Sequence, residues 1–174
     1  MAAAADVLAD LGYHGFAIET VAARAGVAKT TIYRRWAGRD ELVLDAINAI
    51  KGPPPELPEG SVRDQMLFLV ERTRRSWTNS QHGRMMRRLA ADGSAQPELY
   101  RMFRDRVVAP RQVALRAVLR RGIDEGLIRP DVDVAGVIDM LIAPVIMAVM
   151  THRERLTSTQ VAFVVDTVLR GLAP

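Results

Sequence analysis

Between residues 20 and 36 the chain reads Thr20-Val-Ala-Ala-Arg-Ala-Gly-Val-Ala-Lys-Thr-Thr-Ile-Tyr-Arg-Arg-Trp36. Ala22 is small where two helices can touch, Gly26 tolerates the positive φ of a tight turn, and Ile32 offers an apolar anchor beyond it. These are the three needs of a helix-turn-helix. With Ile32 and Trp36, four residues apart, turned inward, Lys29, Thr30, Arg34 and Arg35 are left on the outer side of a short second helix. From Arg24 to Arg39 there are five basic residues and no acid, although the first 51 residues hold six of each sign. Positive charge is therefore concentrated on one edge. A recognition helix sets its N-terminal residues against base edges in the major groove, while basic and hydroxyl groups around it hold phosphates.

Working outward, the head shows apolar residues at helical spacing in short bursts: Val7, Leu8 and Leu11; Ile18, Val21, Ala22 and Ala25; Leu42, Ala46, Ile47 and Ile50. The prolines and glycines of 52–60 remove backbone donors, fix φ and break regular structure, so this segment reads as a linker. Beyond it the periods lengthen, through Val62, Met66, Leu69 and Trp77, then Leu99, Met102, Phe103 and Val107, then Val134 to Ile146, and finally Val161 to Leu172. Ser61 with Asp64 three residues on reads as a helix start, and Gly126 as a helix stop. No alternating strand pattern competes. The expected architecture is all-α: a helix-turn-helix domain of three to four helices over 1–51, the linker 52–60, and a larger antiparallel helical bundle over 61–174.

Composition sets the outer bounds. The chain has 174 residues, 49% hydrophobic and 25% charged, with a net charge of +4, which suits a folded protein and permits a polyanionic partner. The absence of cysteine excludes disulfides, thiolate metal sites and cysteine nucleophiles, and suits a cytoplasmic location. His14, His82 and His152 lie far apart, so no histidine metal site is expected, and no other cofactor. No apolar run reaches the ~18 residues of a membrane span; the longest, Met140 to Met150, is interrupted by Pro144 and reads as a buried or subunit-facing helix. There is no Gly-rich phosphate loop, no Gly-x-Ser-x-Gly elbow and no acid cluster flanking a histidine, so the chain is not expected to be an enzyme.

Taken together, Ala3 to Tyr13, Glu19 to Val27, Lys29 to Trp36 and Gly38 to Leu42 resemble the TetR family of transcriptional regulators. The resemblance implies an all-α homodimer whose head binds a palindromic double-stranded DNA operator. Its variable body would take a small apolar or amphipathic effector that releases the repressor from DNA. Carried over by position, Lys29, Thr30, Thr31, Arg34 and Arg35 would lie on the recognition helix and Tyr33 would reach a phosphate. Arg39 would stand where the family usually has a lysine at the start of the fourth helix. Two departures are evident. The first helix lacks its usual earlier, basic start, and the capping Ser or Thr before the second and third helices is replaced by Ala17 and Ala28, which removes ~1 kcal/mol of capping from each.

In the body, Met66, Trp77, Met85, Met86, Leu89, Met102, Phe103, Met140 and Met147 are candidates to line an effector pocket, because methionine and aromatic side chains suit an adaptable apolar cavity. The same spacing serves equally for core packing. Leu141, Val145, Ile146, Val149, Val161, Val164 and Val168, on the last two helices, are the candidates for a dimer interface. Residues 61–129 hold fifteen basic and seven acidic residues, read as a solvated arginine-rich exterior and not as a second nucleic-acid surface. The rival readings are a helical-bundle enzyme acting on a small molecule and an adaptor whose head no longer binds DNA.

Overall fold

A computed structural model describes residues 1–51, 55–78, 101–151 and 156–174; of these, the side chains of residues 50, 51, 78, 149 and 150 are not described. Among the described residues the chain is helical throughout, without a strand. The helices are α1 (Ala2–Leu11), α2 (Ile18–Ala25), α3 (Lys29–Tyr33), α4 (Arg39–Lys51), α5 (Val62–Thr78), α6 (Ala109–Asp124), α7 (Val134–Met150) and α8 (Ser158–Leu172). A π-helical turn, Arg104–Val108, leads into α6. Helical periodicity in the sequence translates directly into this result, because each apolar stripe finds a neighbouring stripe to cover it.

The helices fall into two compact units. The first gathers α1 to α4 and the described residues 101–110. Most residues of the short bursts are buried, among them Leu8, Leu42 and Ile47, but Leu11 and Ala25 are exposed and Phe16 and Leu44 are enclosed in addition; α1 packs on α2 and α4, and α2 on α3. Residues 101–110 lie within the stretch expected to belong to the body, yet they pack in this unit. The π-helical turn lies on α4, where Asn48 Nδ2 donates to the Arg106 carbonyl at 3.4 Å and Arg106 stands 3.6 Å from Glu41.

The second unit comprises α5 and the chain from Arg111 onward. Val62, Met66, Leu69 and Val70 of α5, Leu115, Val118 and Leu119 of α6, Val137, Ile138, Leu141 and Val145 of α7, and Val161, Val165 and Leu172 of α8 form its core. Ser61 and Asp64 close the start of α5 reciprocally: the Ser61 hydroxyl accepts from the Asp64 amide, and the Asp64 carboxylate accepts from the Ser61 amide. Gly126, at φ 70°, follows the end of α6 as expected. Gly122 sits in close contact, since a Cβ there would meet Ile128 Cδ1 at 2.7 Å and Val62 Cγ1 at 3.3 Å and these side chains would have to shift.

Two polar ties lock α5 to α8. Arg63 donates to both carboxylate oxygens of Asp166. Further along, Arg74 donates to Glu71 and to the Leu156 carbonyl, and the Ser158 hydroxyl donates to Glu71. The Arg74 guanidinium is the main reason that the Glu71 carboxyl, mostly buried, is pulled down to about 2.

The fold corrects part of the expected dimer set. Leu141, Val145 and Val161 are buried at 0–1% exposure in the chain's own core, so they cannot meet a second copy. Ile146, Val164 and Val168 are half-buried, and the side chain of Val149 lies outside the described set. The physical reason is which stripe wins. On α8 the inward positions are Val161, Val165 and Leu172, at intervals of four and seven, which leaves Val164 at the edge and Phe163 facing solvent. On α7 the outward stripe is Met140, Ala143 and Met147, with both methionines more than half exposed.

Candidate nucleic-acid interface

The candidate interface is built by α2, its turn and α3. Helix α2 ends at Gly26, whose φ 66°, ψ 32° is left-handed, with the Val27 amide donating back to the Ala22 carbonyl at 3.1 Å and the Gly26 amide to Ala23 at 3.3 Å. A Cβ at Gly26 would touch nothing within 4 Å, so the glycine is there for its dihedral angle and not for space. Helix α3 begins at Lys29 and is regular only to Tyr33. The hydrogen bonds nevertheless carry the turn on, from the Arg34 amide to Thr30 at 3.1 Å and from the Trp36 amide to Ile32 at 3.0 Å. Neither helix has a side-chain N-cap, because Ala17 and Ala28 hold the extended cap conformation with nothing to offer.

Ile32 is the buried anchor of α3, at 4% exposure. Trp36 is only half-buried; its Nε1–H donates to Asp45 of α4 at 2.8 Å, which fixes the exit from α3. With those two positions tied inward, Lys29, Thr30, Thr31, Tyr33, Arg34 and Arg35 all face solvent. Six of the seven residues proposed to meet DNA are thus exposed on one short segment, and Arg39 stands half-buried at the start of α4.

Their electrostatic surroundings differ sharply. Arg34 and Arg35 have no acidic partner among the described residues, and the Arg35 guanidinium lies 5.0 Å from the Trp36 ring centre. Lys29 instead donates to Glu19 of α2 at 2.9 Å, and Arg24 to Asp10 of α1 at 2.8 Å. The lysine holds the exposed Glu19 carboxyl below its usual value. Arg39, at the start of α4, stacks 4.0 Å over the ring of Tyr13, whose hydroxyl donates to Asp40 at 2.7 Å. Burial, reinforced by Asp40, raises the Tyr13 phenol above its ordinary value. Glu41 accepts from the Ala37 amide at 2.9 Å and so closes the start of α4 directly after the recognition segment.

The acids Asp10, Glu19 and Asp40 and the ring of Tyr13 were not marked as site residues by the sequence. Glu19 stands ten residues before Lys29 and Tyr13 stands twenty-six before Arg39, separations that no helical period relates. The pocket candidates, by contrast, scatter. Met66 and Trp77 are buried on α5 in one unit, and Met102 and Phe103 are half-buried in the other. Met85, Met86 and Leu89 lie outside the described residues. Met140 and Met147 are exposed, so as pocket lining they are corrected: the inward side of α7 is taken by Val137, Ile138, Leu141 and Val145. No group of three or more potential ligands that could hold a metal occurs among the described residues, and no helix there is long and apolar enough to cross a membrane.

This geometry has counterparts. The family model for bacterial regulatory proteins of the tetR family matches residues 1–46, and the tetracyclin repressor-like C-terminal domain matches residues 57–168, more than half of the chain. The HTH-type transcriptional regulator YdeS of Bacillus subtilis is 24% identical over 174 residues, covering 99% of this chain and 87% of its own. The DNA-binding transcriptional repressor TetR of Mycobacteroides abscessus is 28% identical over 158 residues, covering 88% and 78%. Among solved structures, the TetR family transcription regulator SCO0332 superposes with a TM-score of 0.75 at 28% identity, over 99% of this chain and 95% of that one. FadR of Bacillus subtilis, solved in complex with stearoyl-CoA, gives a TM-score of 0.74 at 18% identity over 98% and 96%, a likeness of fold alone. With a DNA-binding head of this geometry and both family domains matched, the chain belongs to the TetR family of transcriptional regulators, which are DNA-binding proteins and not enzymes.

Proposed function

We propose that the chain is a cytoplasmic homodimeric repressor that sits on a roughly palindromic operator and leaves it when a small apolar or amphipathic effector occupies the body. The observation that carries the DNA half of this reading is the pair Arg34 and Arg35: both exposed in the turn that continues α3, both without an acidic partner among the described residues. An unneutralised guanidinium pair at the end of α3 suits bidentate contact with guanine edges, Thr30 and Thr31 would meet the adjacent bases, and Lys29 the backbone. Tyr33 and Arg39 would hold phosphates. In a dimer, two copies of α3 would enter successive major grooves about 34–36 Å apart.

The second copy would pack on the outward stripe of α7, Met140, Ala143 and Met147, together with Phe163 of α8; large apolar side chains left in solvent at that density are otherwise costly. Met66 and Trp77 are the expected pocket residues that stand inside the body, and their apolar surroundings favour an apolar effector. The effector would act through different affinity for DNA-competent and DNA-incompetent arrangements of the two heads.

The test is a gel shift on duplex from the chain's own upstream region. Replacing both Arg34 and Arg35 with alanine is expected to abolish specific binding while circular dichroism stays unchanged, since neither side chain is buried. Parental affinity in the Arg34→Ala/Arg35→Ala variant would show that α3 does not read the operator.

A further inference from the structure

We propose that Glu19 masks the charge of Lys29: by holding that lysine in an internal ion pair across the helix-turn-helix, it limits the sequence-independent part of the affinity for DNA. The inference rests on the DNA-binding reading above and goes beyond it, because it assigns a role to an acid at the edge of the interface.

Lys29 is the first residue of α3, a position where the exposed amides of a helix N-terminus disfavour a cation. The cap residue there, Ala28, has no side chain to compensate. Glu19, in the first turn of α2, supplies the missing negative charge at 2.9 Å from Lys29 Nζ. Both partners are about half exposed, at 54% and 55%, so the pair lies on the outer surface and is not enclosed in the fold. A cation that already carries an internal counter-ion releases less bound salt when phosphate approaches, and the carboxylate beside it repels that phosphate. Arg34 and Arg35, on the same surface, have no such acid among the described residues. The head thus divides its cations: the two arginines remain available to base edges, and the lysine that would bind any sequence is held back.

The experiment is a salt titration of full-chain binding between about 50 and 200 mM, on a short random-sequence duplex and on a duplex that the wild-type chain retains from a random pool. Glu19→Gln is expected to steepen the log–log slope by about 0.9 per head, about 1.8 for a dimer, equally on both duplexes. From 200 down to 50 mM the affinity ratio of variant to wild type should therefore grow by about tenfold. In a Lys29→Met background the same replacement should leave the slope where it was, because no lysine is released. An unchanged slope in Glu19→Gln overturns the masking role, as does an equal steepening without Lys29. A loss confined to one base position also overturns it, since Glu19 would then be reading a base. If the wild-type chain shows no binding that Arg34→Ala/Arg35→Ala abolishes, the DNA-binding reading falls and takes this inference with it. The slope is the diagnostic readout, because a loss of head stability would lower affinity at every salt concentration without steepening it.

Discussion

Arginine does different work in the two units. On the head, Arg34 and Arg35 stand at the end of α3 with no acidic partner among the described residues, while Arg24 is paired with Asp10 and Arg106 with Glu41. In the body, which is richer in arginine, several guanidinium groups are engaged internally. Arg63 is held by Asp166, Arg74 and Arg75 by Glu71, and Arg121 by Glu125 and the Gly60 carbonyl. A count of basic residues would have placed the nucleic-acid surface on the body. The acid-free pair Arg34 and Arg35 follows the helix-turn-helix, whereas in the body Asp166 ties Arg63 of α5 to α8 and Glu71 of α5 holds Arg74 and the Ser158 hydroxyl.

The comparison can be broken most severely at α7, where an inward and an outward position lie two residues apart. Val145→Asp puts an unpaired charge into the core of the second unit and should cost on the order of 4 kcal/mol, enough to unfold a marginal domain in thermal melts. Met140→Glu with Met147→Glu should leave the melt nearly unchanged but convert a dimer to monomer in light scattering at low concentration. A dimer that persists would remove this stripe from the interface.

The internal use of charge in the body is testable by pH. Glu71 is mostly buried and its carboxyl is pulled from an ordinary 4.5 to about 2 by the Arg74 bond, with help from Arg75 and Ser158. Because the folded value lies below the unfolded one, the stabilisation is fully present above about pH 4.5 and is lost as pH falls toward 2. It amounts to roughly 2–3 kcal/mol. Denaturant midpoints of wild type and Glu71→Gln should therefore differ at neutral pH and converge in acid. A constant difference between them would sink the assignment.

Smaller effects belong to the head. Gly26→Ala forces a side chain into the left-handed region without any clash, and should cost about 1–2 kcal/mol, read as a lower melting midpoint of the head. Gly26→Asn should recover part of that loss. Smallest is a gain: Ala28→Ser, at a cap already in the extended conformation, should stabilise α3 by about 1 kcal/mol, visible as slower hydrogen exchange at Thr30 and Thr31.

Local patterns were sufficient for the helices and for the head. Ala22, Gly26 and Ile32 specify the helix-turn-helix through size, dihedral freedom and apolarity, all properties of single residues at fixed spacing. Ser61 with Asp64 and the glycine at 126 likewise mark helix ends without reference to anything distant. The outward set on α3 followed once Ile32 was assigned inward, since helical geometry then leaves the others no choice.

Other features were set only when the chain closed on itself. Which stripe of α7 and α8 faces the core depends on what α5 and α6 present to it. Both helices carry apolar residues on more than one side, and the sequence had no means to rank Val145 below Met147 as an outward position. The ion pairs from Glu19 to Lys29 and from Arg63 to Asp166 join residues 10 and 103 positions apart, so no period encodes them. Sequence by itself determined the helices, several of their ends and which residues around α3 are left exposed, because those rest on neighbours along the chain. The tertiary structure alone decided which cations were neutralised and which apolar faces were left over, because charge and burial depend on neighbours in space.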